Sequence, residues 1–191
     1  GGVPPWDTVR AEDFPSAFEA ALAEERAHIE AIANSPAPPG FENTIAALQR
    51  AGRTKDRVLR LFWVMLENMS SPEYRALDAE WQPKLAAADD EIRFFPGLFE
   101  RIDAVYGSLG AATLPPAQAR VTTLLWEAFV RHGARLGAAE RQRLSAVNQE
   151  LAGLYSEFHG KVLADENTWT LLSDKADVAG LPAGLVSAAA E

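Results

Sequence analysis

The sequence predicts an all-α protein, a multi-helix bundle of about six helices with a short strand-like segment near the C-terminus. Three observations carry this. Apolar residues recur at spacings of three and four through most of the chain. Proline and glycine clusters fall between these periodic stretches, where a helix must stop. Finally, Val58-Leu-Arg-Leu-Phe-Trp-Val-Met-Leu66 is apolar around its whole circumference apart from Arg60. A helix of that kind needs neighbours on several sides, so residues 40–70 are expected to hold the central helix of the domain. Three parts follow: an extended arm over 1–13, a helical domain over 14–165, and over 166–191 the start of a connection to further chain.

In the arm, Pro4 and Pro5 disfavour helix, and Trp6 is expected to pin the segment to the body. Asp13 reads as an N-cap with Pro15 in the first turn. The first helix then carries Phe18, Leu22, Ile29 and Ile32 on one face, with Glu24, Glu25, Arg26 and Glu30 mostly off it. It ends near Asn34, because Pro36, Pro38 and Pro39 forbid continuation. Phe41, Ile45, Leu48, Leu59, Phe62, Leu66 and Met69 share a register in the second helix, which if unbroken spans about 29 residues and roughly 43 Å. Gly52 within it marks either a kink or a place where another helix packs close.

A serine cap followed by Pro72 starts the third helix, about 72–95, with Tyr74, Leu77, Trp81, Leu85, Ile92 and Phe95 as its apolar set and a kink expected at Pro83. A short helix with Leu98, Phe99, Ile102, Val105 and Tyr106 runs to about 108, and a loop to 116 follows. The fifth helix is expected over 116–135, and the sixth, after Gly137, has the cleanest repeat in the chain: Leu144, Val147, Leu151, Leu154, Phe158 and Val162. That alternation of three and four predicts a packing seam. Residues 168–172 favour strand by composition, and Gly180-Leu-Pro182 opens a last helix with no stop signal. With nothing for a lone strand to pair with, the expectation is a piece of a longer protein.

At 191 residues the chain is long enough for a proper core, and five Trp and nine Phe argue against disorder. A formal charge of −9 with no basic run disfavours nucleic acid and anionic membranes as partners. The absence of cysteine removes disulfides, thiolate metal sites and a cysteine nucleophile. No apolar run reaches the roughly 18 residues of a membrane span. The expected compartment is the cytoplasm, or the periplasm if an export signal preceded Gly1.

No catalytic residue and no metal or cofactor ligand is assigned in these 191 residues. The histidines His28, His132 and His159 do not form His-Glu-x-x-His, whose i and i+4 imidazoles share a helix face. Glu25-Arg-Ala-His28 is the unit that di-iron bundles use twice, but Phe129 and Ser156 stand where glutamates would precede His132 and His159. A surface helix pair is the favoured reading for Glu25–His28, dipole capping for His132, and a packed or solvated helix position for His159. Asp89-Asp90-Glu91 and Asp165-Glu166 lack the spaced oxygens and turn glycine of a calcium loop, and read as solvated faces or end caps. Dinucleotide, Walker and nucleophile-elbow motifs are absent. Asn68-Met-Ser70 fits a glycosylation sequon at a helix end. Trp63, Trp81, Trp126, Phe62, Phe95 and Phe129 recur at helical spacing and read as core.

Several stretches together carry a resemblance. They are Pro4-Pro5-Trp6-Asp7, Asp13-Phe14 to Leu22, Ile32 to Pro39, Phe41-Glu-Asn-Thr-Ile45 with Leu48 and Gly52, Asn148-Gln-Glu-Leu151, Phe158, and Val162 to Asn167 leading to Trp169. In this the chain resembles the amino-terminal helical region of the thimet-oligopeptidase-like zinc metallopeptidases, on the side of the bacterial peptidyl-dipeptidases, with oligopeptidase A as a near relative. Gly40 departs from the threonine usual before the Phe-Glu-Asn-Thr segment, which weakens that helix cap. The resemblance implies a zinc site, His-Glu-x-x-His plus a later glutamate, lying wholly beyond Glu191. It implies for these residues a wall or cap over a channel that admits short peptides, with the catalytic region of the same parent chain as partner. The 191 residues alone are then expected to be inactive. A free-standing helical module that binds a partner helix is the alternative.

Overall fold

The computed structural model describes residues 4, 6–69, 71–110, 114–166, 168 and 176–189. It divides into two compact units, Gly1–Glu157 and Phe158–Glu191. In chain order, a 3₁₀ turn at Ala11–Asp13 leads into α1 (Phe14–Ala33), and a π-helical turn at Phe41–Ala46 runs into α2 (Ala47–Ala51). Next come α3 (Arg53–Asn68), α4 (Pro72–Arg93), α5 (Leu98–Gly107), α6 (Pro116–Arg131), α7 (Ala138–Glu166) and α8 (Ala183–Ala189). The fold is all-α, with no strand among the described residues. The strand-like stretch at 168–172 lies outside them apart from Thr168, which donates its N–H and hydroxyl to the Asp165 carbonyl. Among the described residues, no helix is long and apolar enough to cross a membrane.

The central helix is α1 rather than α3. Its buried residues, Phe14, Phe18, Ala21, Glu25, Ile29 and Ile32, keep a spacing of three or four from end to end, and it packs on α2, α3, α4 and α5. Two core clusters sit at its two ends. Phe14 and Phe18 join Phe62, Met65, Leu66, Tyr74, Trp81 and Leu85 in one. Ile29 and Ile32 join Ile45, Leu98, Ile102, Val105 and Phe129 in the other. In α3, Phe62, Met65 and Leu66 are buried against α1 and α4, while Val64 is 41% exposed and Met69 63%. An all-apolar circumference marked a helix packed chiefly on α1 and α4, and part of its apolar surface stays wet.

Gly52 does both things its position suggested. It separates α2 from α3, at φ −86° and ψ 9°, and it lets α1 approach closely. Trp6 is 37% exposed, and the arm residues packed on the aromatic cluster are Val9 and Ala11. Asp13 does not cap α1 with its side chain; Oδ2 accepts from the Arg10 N–H and closes the preceding turn. The helix expected over 116–135 stops at Arg131. Gly133 adopts φ 88°, its N–H donates to the Val130 carbonyl, and the Ala134 N–H reaches back to Phe129 O, a Schellman stop that a left-handed glycine makes possible. A Cβ on Gly133 would also meet Leu136 Cδ1 at 2.6 Å and Leu144 Cδ2 at 2.9 Å, so the turn is closed down onto the start of α7.

The leucine repeat of α7 is not a seam along its whole length: Leu144 and Val147 are half-buried, but the later members of the repeat are exposed. Leu151 is 43% exposed, Leu154 53%, Phe158 67% and Val162 38%. Within Gly1–Glu157, α7 faces α4 with small and polar side chains instead. Ser156 is buried and its hydroxyl donates to the buried Asp78 carboxylate, while Asn148 donates to both oxygens of Asp90 at 2.9 and 3.0 Å. A Cβ on Gly153 would lie 4.0 Å from Pro83 Cγ on α4, an ordinary van der Waals contact. Period alone could not tell which stripe would be covered.

Candidate functional site

The polar residues that the fold brings together tie helices to one another. The densest knot joins α1, α3 and α4. Glu25, expected off the apolar face, is 7% exposed and lies 2.7 Å from Lys55 Nζ through Oε2. Lys55 reaches Asp89 Oδ1 at 2.7 Å as well. Desolvation pulls the Lys55 pKa down, but hydrogen bonds and charge from Asp89 and Glu25 together outweigh it and hold the ammonium above its ordinary value. Gly52 makes room for the Glu25 carboxylate at this junction.

The run Asp89-Asp90-Glu91 is only partly a solvated face: Asp90 is buried, Asp89 half-buried and Glu91 exposed. Three consecutive carboxylates on one helix point about 100° apart, so each meets a different neighbour. Asp89 pairs with Lys55 on α3, Asp90 with Asn148 on α7, and Glu91 with Arg26 on α1. Asp90, at 3% exposure, is also 3.4 Å from Arg93 Nη1. A buried carboxylate with two or three such partners keeps its charge satisfied, which is why burial is tolerated.

A second knot lies at the Phe41-Glu-Asn-Thr-Ile45 segment. Asn43 Oδ1 accepts from the Gly40 N–H at 2.8 Å and from the Thr44 hydroxyl at 3.0 Å, and its Nδ2 donates to the Pro38 carbonyl at 2.9 Å. The turn is thus capped from inside, by the reach-back half of a capping box, and glycine at position 40 costs little. The buried Arg101 of α5 donates through Nη1 to the carbonyls of Ser35 and Ala37 at 3.0 and 3.1 Å, with Nη2 facing Thr44 Oγ1 at 3.4 Å. One guanidinium therefore fastens the proline-rich connection to the body. Neither Lys55 nor Arg101 stood out in the sequence. Their partners lie 30 and 34 residues away for Lys55 and 57 to 66 for Arg101, beyond any local period.

The histidines take no part in a common site. His28 is exposed and its ring Nδ1 faces the Ala51 carbonyl at 3.4 Å, while Glu25 is spent on Lys55. His132 caps α6, its Nδ1–H donating to Ala128 O at 2.7 Å, and His159 is half-buried on α7. Asn68 turns its amide back to Val64 O at the end of α3, and Ser70 of that sequon lies outside the described residues. Asp165 is exposed. The aromatic set packs: Phe62 meets Phe14 and Phe18, and Trp126 stacks on Tyr106 at 4.1 Å while its Nε1–H reaches Asp103. Among the described residues, no group of three or more His, Asp or Glu is placed to hold a metal ion. The donor set does not fit zinc, because the one Glu-x-x-His has its carboxylate neutralised by a lysine and its imidazole turned to a backbone carbonyl.

Fold and site define a cross-tied helical scaffold. No family model matches the chain. It is 33% identical over 189 residues to the dipeptidyl carboxypeptidase of Salmonella typhimurium and 32% identical to that of Escherichia coli. To the oligopeptidase A of Salmonella typhimurium it is 26% identical over 188 residues. Each match covers 98% of this chain and 28% of the relative, so the chain spans little more than a quarter of the relatives' length. The chain is thus similar to the amino-terminal part of peptidases of the thimet-oligopeptidase family, as its motifs indicated.

Proposed function

We propose that this chain is the amino-terminal channel-wall or cap region of a zinc metallopeptidase that removes dipeptides from, or cleaves, short oligopeptides. The observation that carries the reading is the match along 98% of the chain to dipeptidyl carboxypeptidases of which it spans 28%. The scaffold suits it: Lys55 ties α3 to the buried Glu25 of α1 and to Asp89 of α4, and two buried carboxylates tie α4 to α7, which makes for a stiff wall. On this reading the zinc ligands belong to polypeptide beyond residue 191, the partner is that catalytic region, and the setting is the cytoplasm, or the periplasm behind an export signal.

The test is to sequence the parent reading frame past Glu191 and assay both the parent and the 191-residue chain on a short peptide. A His-Glu-x-x-His further on, with chelator-sensitive release of dipeptides by the parent and none by the chain alone, is the expected result. Zinc-dependent release by the pure 191-residue chain would overturn it. A stop codon soon after Glu191 would favour the second reading, a self-contained helical interaction module, for which the exposed apolar side of α7 is the supporting observation.

A further inference from the structure

The outward apolar side of α7 is enforced by the helix's inward side. Leu154 and Ser156 are two residues apart and so point about 160° from one another around the helix. Ser156 and Asn148 satisfy the buried carboxylates Asp78 and Asp90. Turning α7 to bury its leucines would strip both buried carboxylates of these partners, a cost that sets itself against the apolar burial. Leu154 is thereby held out, and Leu151 and Tyr155 flank it, the three at 53%, 43% and 70% exposure on consecutive turns. Apolar side chains gathered in this way mark a contact surface, whereas scattered ones do not.

We infer that this face of α7 is where the remainder of a full-length parent, the polypeptide beyond residue 191, packs with an apolar surface of its own. The inference rests on the proposed function and names the partner surface. Relatives carry most of their length outside the matched region, so the covering chain exists in them. A second copy is the poorer occupant. Three side chains over two turns fall well short of the roughly 800 Å² per partner that a standard interface needs. A segment of the same chain faces no such threshold, since tethering supplies a high effective concentration. Glu150 is exposed one residue before Leu151 and adds a preference for a cationic neighbour at the rim.

The chain contains no cysteine, so a single thiol reports its own site. Leu154→Cys and, separately, Leu151→Cys are made in the 191-residue chain and in the full-length parent. Maleimide labelling of each is followed by mass spectrometry and normalised to its rate in urea. The expected result is rapid labelling in the 191-residue chain and labelling slowed at least about tenfold in the parent. Equal rates in both overturn the inference but leave the peptidase reading intact, since that reading stands or falls on the peptide-cleavage assays and the parent reading frame. Protection already in the 191-residue chain, with a dimer in sedimentation, overturns it in favour of a second copy.

Discussion

Gly52 and Glu25 share one space: a Cβ on Gly52 would lie 2.6 Å from Glu25 Oε1. The end of a glutamate normally swings away from such an intrusion. Here it cannot do so freely, because the carboxylate is buried and paired with Lys55 at 2.7 Å. The backbone at φ −86° and ψ 9° would accept alanine, and Gly→Ala in a helix usually gains about 0.5–1 kcal/mol. Gly52→Ala is expected instead to lose about 1 kcal/mol, the difference being the displaced ion pair. In a Glu25→Ala background the same change should recover the ordinary gain. Urea midpoints of the four proteins measure the coupling; strict additivity would show that the two residues do not compete.

Lys55→Met is expected to cost about 3 kcal/mol near pH 7, because it leaves the Glu25 carboxylate buried without its cation. The sign of the pH dependence follows from the raised Lys55 pKa. A group whose folded pKa exceeds its unfolded value, here 10.5, stabilises fully below the unfolded value and stops doing so as pH rises through the folded one. The gap between wild type and Lys55→Met should thus be flat through neutral pH and narrow above about pH 10.5. Denaturant titrations at neutral and strongly alkaline pH read this directly. A gap that widens with alkalinity would contradict the assignment.

Much of this architecture was legible in the chain. Apolar spacing gave most helices, and Gly133 carried the stop of α6 in plain sight, since a glycine just past a periodic stretch is the usual C′ residue. Glu25 was also readable in principle: it occupies a core position in the run Phe18, Ala21, Glu25, Ile29, and a carboxylate there implies a buried cation. Which cation was not readable, because Lys55 arrives from another helix. The faces of α7 were harder still. Its leucines make the stronger repeat, yet the positions turned to α4 are the half-buried Asn148 and the buried Ser156, chosen by two aspartates on α4. Periodicity finds a stripe, and only the neighbour's chemistry says whether that stripe is covered.

Phe62 is fully buried and meets Phe14 at 5.2 Å and Phe18 at 5.3 Å, both edge-on, with Tyr74 at 6.3 Å. These rings come from α1, α3 and α4, so removing one leaves a cavity that three helices would have to close. Phe62→Ala is expected to cost about 3–5 kcal/mol, whereas Leu124→Ala on the exposed side of α6 should stay within about 0.5 kcal/mol. Thermal unfolding of both variants, compared with wild type, is the check. A loss under about 1 kcal/mol at Phe62 would mean that the aromatic cluster is not the core it looks like.

Arg101 tests whether the Phe41-Glu-Asn-Thr-Ile45 segment is held from outside as well as from within. Its Nη1 serves two carbonyls, Ser35 and Ala37, on a connection whose prolines donate no hydrogen bonds of their own. Arg101→Met would leave both carbonyls unserved where the guanidinium had been, for a loss of about 2–3 kcal/mol. Arg101→Lys keeps the charge but not the planar fork, so it should recover less than half of that loss. A purely electrostatic role would predict nearly full recovery by lysine, and the two accounts separate cleanly there. Hydrogen exchange adds a local reading. The Gly40 and Thr44 amides, held by Asn43 Oδ1 and Gly40 O, should exchange faster in Arg101→Met than the amides of α4 do. Uniform acceleration across both would instead mean that Arg101 stabilises the whole fold and not this connection.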